Sequence, residues 1–195
     1  MVMLDFPRLR QVHKYDCGAI VTQAILEYYG KDIREDKIIK LEKTKRGGTS
    51  IGRIIFAFRK YKLKQISGRF TISEVKKFIS KGHPVILVLQ AWDVKNKDKW
   101  ENWMEVDFRK DLVKVNWSKV WKDGHYVIAI GYDKNKMYFA DPGSIFKEYL
   151  TFKELMDRWH DTSGNMRRKG KKYIHFGVAV IGKKKYSSKK AVKMG

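Results

Sequence analysis

In the N-terminal part of the chain, apolar residues recur at helical spacing. From residue 84 onward strand patterns dominate, and that order restricts the fold more than any other feature. Ile20, Val21, Ala24, Ile25 and Tyr28 share one helical face, so residues 17–29 are expected to form a helix. Asp16 stands at its N-cap position, and Gly30 where a C′ glycine would end it. Further helices are expected over about 34–42, over about 50–61 after the turn Gly47-Gly48-Thr49-Ser50, and over 73–80 with Ser73 as cap. The run Pro84-Val85-Ile86-Leu87-Val88-Leu89-Gln90 is short and apolar, the pattern of a buried strand. Residues 126–132 alternate, with Val127, Ala129 and Gly131 on one side and Tyr126, Ile128, Ile130 and Tyr132 on the other. A tight turn over 133–136 returns the chain as a hairpin partner over 137–140. Residues 152–160 read as a helix and 173–181 as a final strand. Early helices and later strands predict an α+β fold, N-terminal helices packed on an antiparallel sheet, rather than a βαβ alternation.

At 195 residues, 43% of them hydrophobic, the chain is long enough for one buried core, and no domain boundary shows before residue 182. A single folded domain is expected over 1–182. Residues 183–195 carry Lys183-Lys184-Lys185, Lys189-Lys190 and Lys193 without apolar periodicity, and read as a disordered basic tail. The long charged connection 91–123 holds Trp92, Trp100, Trp103, Trp117 and Trp121, which either line a groove or anchor the connection on the core. Neither a signal-peptide apolar core nor the roughly 20-residue apolar span of a membrane helix is visible. One cysteine suits a reducing compartment, so a cytoplasmic location is expected. The net charge of +22 attracts anions in a salt-dependent way. It is mostly lysine, spread along the chain and without a reader motif. Non-specific anion binding is therefore expected, but no specific nucleic-acid recognition.

The chemistry points to Cys17. A lone cysteine makes neither an internal disulfide nor an all-cysteine zinc site, and is most often a small buried hydrophobe. At the first turn of a helix, however, its sulfur meets the positive end of the dipole and unpaired N–H groups, which favour the nucleophilic thiolate. The hairpin sets His125 at the start of one strand and Asp141 at the end of its partner, and antiparallel pairing brings those ends together. Asp141 can then orient the imidazole while the other ring nitrogen faces Cys17. The plainer readings are a structural histidine and a turn-capping aspartate before Pro142. Gln11, just before the first helix, can offer its side-chain NH₂ to a developing oxyanion beside the Cys17 N–H. His13 reads as a loop residue, His83 and His175 as structural on or before strands, and His160 as structural on a helix. No metal or organic cofactor is expected.

The residues Gln11, Asp16-Cys17-Gly18-Ala19, Tyr28-Tyr29-Gly30, then Gly124-His125-Tyr126 through Tyr132, then Ala140-Asp141-Pro142 resemble the bacteriocin-processing, double-glycine peptidase family. The Gly48-Thr49-Ser50 turn is similar too, and the likeness runs over about 10–182. It implies a papain-like fold, a Cys17–His125–Asp141 triad with Gln11 as oxyanion donor, and a peptide or protein substrate, typically a precursor cut after a Gly-Gly leader. The membrane helices and phosphate-binding Gly-x-x-x-x-Gly-Lys-Ser/Thr loop of the transporter members are missing, so the chain reads as a free-standing member. Two other functions use the same scaffold: a non-catalytic peptide-binding module, and a thiol acyl transferase or amidase.

Overall fold

The computed structural model describes residues 1–91, 116–121, 124–144, 148–163 and 170–189. Its centre is a seven-stranded sheet with helices on both faces. A short strand β1 (Val2–Met3) precedes three helices: α1 (Cys17–Tyr28), α2 (Glu35–Glu42) and α3 (Ile51–Lys60). Then come β2 (Lys64–Arg69), α4 (Ile72–Ser80), β3 (Val85–Gln90), β4 (Gly124–Tyr132) and β5 (Lys136–Ala140). The remainder is β6 (Glu148–Thr151), α5 (Phe152–Arg158), β7 (His160–Thr162), β8 (Lys172–Ile174) and β9 (Phe176–Ile181). The order across the sheet is β2-β9-β3-β4-β5-β6, every pairing antiparallel, with β1 added on β4.

The sheet explains why 84–90 is apolar at every position. All six residues of β3 are buried, because Ile86 points into the core under α1–α3 while Val85, Leu87 and Leu89 point into a second core with α4 and α5. The alternation expected for β4 holds from Val127 to Ile130. A bulge between Ala129 and Gly131 then turns Tyr132 to the α4 side, with Val127 and Ala129 rather than with Ile128.

Local signals set most helix ends. Gly30 adopts φ +75° after α1, its N–H bonding the Glu27 carbonyl at 2.8 Å and the Lys31 N–H reaching Leu26 at 2.8 Å, a Schellman ending. Helix α4 is capped by Thr71, not Ser73: its Oγ1 accepts from the Glu74 N–H at 3.2 Å while Glu74 accepts from the Thr71 N–H at 2.8 Å. His160 lies on strand β7, since α5 ends at Arg158. The strand expected over 173–181 is broken at His175, whose φ of +50° lets β8 leave the main sheet and pair with β7. Strand β2, an edge strand with no fully buried residue, lacked an apolar pattern that would mark it.

Residues 183–189 of the basic tail run along the C-terminal end of α1. The N–H groups of Lys185 and Tyr186 both bond the Tyr28 carbonyl at 3.1 Å, and the Lys184 ammonium meets Asp5 at 3.3 Å. Positions 190–195 lie outside the described residues. Of the tryptophan-containing connection, Trp92, Trp100 and Trp103 also lie outside them. Trp117 packs under the Arg158 guanidinium at 3.8 Å and Trp121 against the His160 ring at 4.4 Å, both anchoring contacts. No described helix is long and apolar enough to cross a membrane.

One buried charge site has a measurable consequence. Glu42 of α2 is fully buried, and its carboxyl accepts from Thr22 Oγ1 of α1 at 2.6 Å. Burial pushes its pKa up to about 8, and the Thr22 bond offsets only part of that shift. The folded chain therefore holds a proton there that the unfolded chain releases above about 4.5. Stability is expected to fall as pH rises between those values, then level off. Glu42→Gln is expected to remove that slope and to raise the melting temperature at pH 9, by roughly 2–4 °C for each kcal/mol recovered. Thermal melts from pH 5 to 9 check it; parallel slopes in both proteins would rule it out.

Candidate active site

Helix α1 begins at Cys17, whose thiol is buried at the base of a cleft of about 560 Å³. Gly18 is small for a local reason: a Cβ there would stand 2.7 Å from Thr49 Cβ, so the glycine lets the 48–50 turn close over the helix start. Tyr126 of β4 ties that turn down, its hydroxyl donating to the Thr49 carbonyl at 2.9 Å. Asp16 occupies the N-cap position but does not cap α1. Its Oδ2 instead accepts from the His13 N–H at 2.9 Å, fixing the loop that leads into the helix.

His125 and Asp141 meet as the hairpin geometry requires. Ile128 of β4 pairs with Ala140 of β5, so the strand ends beyond them lie side by side. His125 Nε2 and Asp141 Oδ1 are 2.7 Å apart, and both residues are 7% exposed. Asp141 Oδ1 also accepts from the Gly143 N–H at 2.7 Å, closing the turn that follows β5. The ring shares a further side-chain hydrogen bond with Cys17. Burial alone would lower the imidazole pKa. The Asp141 carboxylate and the Cys17 sulfur outweigh it and raise the pKa from 6.5 to about 10. An imidazole so placed holds its proton at neutral pH and can hand it to a leaving group.

Gln11 lies at the edge of this group. Its backbone N–H donates to the Pro142 carbonyl at 2.9 Å, which seats the loop before α1 on the residue after Asp141. Its side-chain Nε2 donates to the His13 carbonyl at 2.8 Å, leaving one amide hydrogen uncommitted. His13 itself stacks on Tyr15 at 5.2 Å, and the His175 ring meets Trp159 at 5.4 Å. Among the described residues no three His, Cys, Asp or Glu side chains are placed to hold a metal ion.

The sequence reading missed Asp161 and Gln90. Gln90, buried at the end of β3, donates through Nε2 to the His160 carbonyl at 3.1 Å and to Asp161 Oδ1 at 3.0 Å, pinning β7 beside the cleft. The Asp161 carboxylate then lies against Gly124, where a Cβ would stand 2.6 Å from Oδ1. Burial raises its pKa, partly offset by the Thr162 N–H and the Gln90 amide. The glycine before His125 was the available signal that something approaches the backbone there, but not which residue.

A thiol at a helix N-terminus, facing an imidazole on an antiparallel strand that a carboxylate holds from behind, on this sheet, defines the papain-like cysteine peptidase class of fold. Within that class the chain belongs to the Peptidase_C39 like family, whose model matches residues 3–188, past the domain end expected at 182. Three solved structures are similar. The peptidase domain of Streptococcus ComA, a bi-functional ABC transporter involved in a quorum sensing pathway, is 16% identical with TM-score 0.59, over 90% of this chain and 98% of that one. A double glycine motif protease from an AMS/PCAT transporter, in complex with the leader peptide, is 16% identical with TM-score 0.59, over 92% and 93%. A putative C39-like peptidase from Bacillus anthracis is 17% identical with TM-score 0.60, over 94% and 98%. Comparison with curated proteins found no match.

Proposed function

We propose that this chain is an active, cytoplasmic cysteine peptidase whose catalytic residues are Cys17, His125 and Asp141, with Gln11 as oxyanion donor. The observation that carries the reading is the 2.7 Å contact between His125 Nε2 and Asp141, with Cys17 hydrogen-bonded to the same ring. The sulfur of Cys17 attacks the peptide carbonyl carbon, and the oxygen takes up negative charge between the Cys17 N–H and the Gln11 amide. The C–N bond breaks, and the leaving amine takes the proton held by His125. Water, giving a proton to His125, then attacks the thioester and releases the acid from Cys17. Asp141 keeps the ring in one orientation throughout and stabilises its charged form. The domain boundaries expected from the sequence, 1–182 with a basic extension, are kept in this reading.

The family and its double-glycine relatives favour a peptide cut after Gly-Gly as the substrate. Peptides spanning Gly-Gly and matched peptides with Ala-Ala test it, with the Gly-Gly series expected to turn over faster. Oxygen-labelled water is expected to leave its label in the new carboxylate; an unlabelled fragment joined to an added amine would assign acyl transfer instead. Gln11→Ala is expected to lower kcat roughly 100–1,000-fold. KM should change little, because the oxyanion contact strengthens only in the transition state. An unchanged kcat would remove Gln11 from the site.

A further inference from the structure

The cleft beside Cys17 contains one carboxylate that the proposed reaction leaves unused. Among the described residues lining it, Asp161 is the one acid, while Lys14 and Arg46 also contribute to its walls. Asp161 is half-buried, held by the Gln90 amide at 3.0 Å and by the Thr162 N–H, and among the described residues no Lys or Arg is ion-paired with it. Its carboxylate sits directly on Gly124, the residue before the proposed general acid, with no side chain between them. A group bound to it would therefore lie close to the bond being cut. In a chain with 43 Lys and Arg against 21 Asp and Glu, an acid without an ion-paired Lys or Arg among the described residues is a locally placed exception. A half-buried carboxylate that has lost water, with no ion-paired cation among the described residues, is strengthened most by an ammonium or guanidinium brought in by a ligand.

We propose that Asp161 is a specificity-determining residue that accepts a basic side chain, Lys or Arg, from the substrate a residue or two before the Gly-Gly pair. The proposal rests on the cysteine-peptidase reading above and adds to it the charge of one substrate side chain.

The test uses peptidyl chloromethyl ketones that end in Gly-Gly and alkylate Cys17, with lysine or the near-isosteric neutral norleucine placed at each of the positions before that pair. Alkylation is read as a second-order rate by mass spectrometry, and needs no turnover. In the wild-type chain the lysine compound is expected to react roughly 10–100-fold faster at one position, the range for a charge-assisted hydrogen bond. Asp161→Asn keeps the oxygen that Gln90 bonds and removes only the charge. It is expected to bring that ratio to about one while leaving the norleucine rate within about twofold. Asp161→Ser serves the same purpose if the asparagine variant does not fold. A wild-type ratio near one at every position would overturn the proposal. So would a ratio that survives both variants, or a norleucine rate that collapses with Asp161→Asn, which would make the residue only an anchor for β7. Selective alkylation without cleavage of any peptide would instead defeat the peptidase reading and leave Asp161 as a binding site for a basic side chain only. Failure of every ketone to alkylate Cys17 would defeat both.

Discussion

Cys17→Ala is expected to abolish peptide cleavage, a loss on the order of a millionfold in kcat, with the fold intact. The size of the effect follows from the role: no other described side chain in the cleft combines a sulfur or hydroxyl nucleophile with a bond to His125. The exchange removes one atom from a buried position at the first turn of α1. The helix itself is held by Ile20, Ile25 and Leu26 in the core, so circular dichroism and melting should barely change. Cleavage of a mixed peptide library, followed by mass spectrometry, measures the loss. Equal cleavage by Cys17→Ala and wild type would mean a contaminating activity or a different centre.

Asp141 has the second largest expected effect, and two substitutions divide its roles. Asp141→Ala removes the partner of His125 Nε2 and the acceptor of the Gly143 N–H, so the ring loses its orientation. A drop of roughly 100–10,000-fold in kcat is expected, the range for a positioned general acid–base. Asp141→Asn keeps both hydrogen bonds through its amide oxygen, which accepts from His125 Nε2–H and the Gly143 N–H as the carboxylate does, but loses the charge that raises the imidazole pKa to about 10. Its activity near pH 6 should stay within about tenfold of wild type, while the alkaline limb of kcat/KM falls to lower pH. The same group contributes to stability. Because the folded pKa lies above 6.5, the contribution is fully present below that pH and is lost as pH rises through about 10. The stability gap between wild type and Asp141→Asn should therefore close above pH 10. Overlapping pH profiles of the two proteins would show that the carboxylate does not charge the ring.

Much of this site was legible because the elements that carry it are governed by local rules. The helical spacing after Cys17, the closing Gly30 and the 133–136 turn place the thiol, the imidazole and the carboxylate with no knowledge of the rest of the chain. The two-faced burial of β3 was legible in its unbroken apolar run. What escaped depends on distant partners. Thr71 rather than Ser73 caps α4 because Glu74 completes the reciprocal pair, a choice that residue type alone does not make. His175 breaks the last strand because its N–H is taken by the Trp159 carbonyl at 2.9 Å, a contact between segments far from any turn signal. Asp161 reaches the cleft only because Gln90, more than a third of the chain away, holds it there at 3.0 Å. Asp16, read as a helix cap, turns back to His13 because the loop before α1 must be held against the Asp141 turn.

The central claim is that Cys17 is an activated nucleophile paired with the imidazole of His125. Its most direct measurement is the rate of Cys17 alkylation by iodoacetamide at mildly acidic pH, in the native protein and in the same chain unfolded in denaturant. The native thiol is expected to react many times faster than the unfolded one despite its burial, and His125→Ala to erase the advantage. A native rate equal to or below that of the unfolded chain would leave a buried, unactivated cysteine and no nucleophile for the proposed reaction.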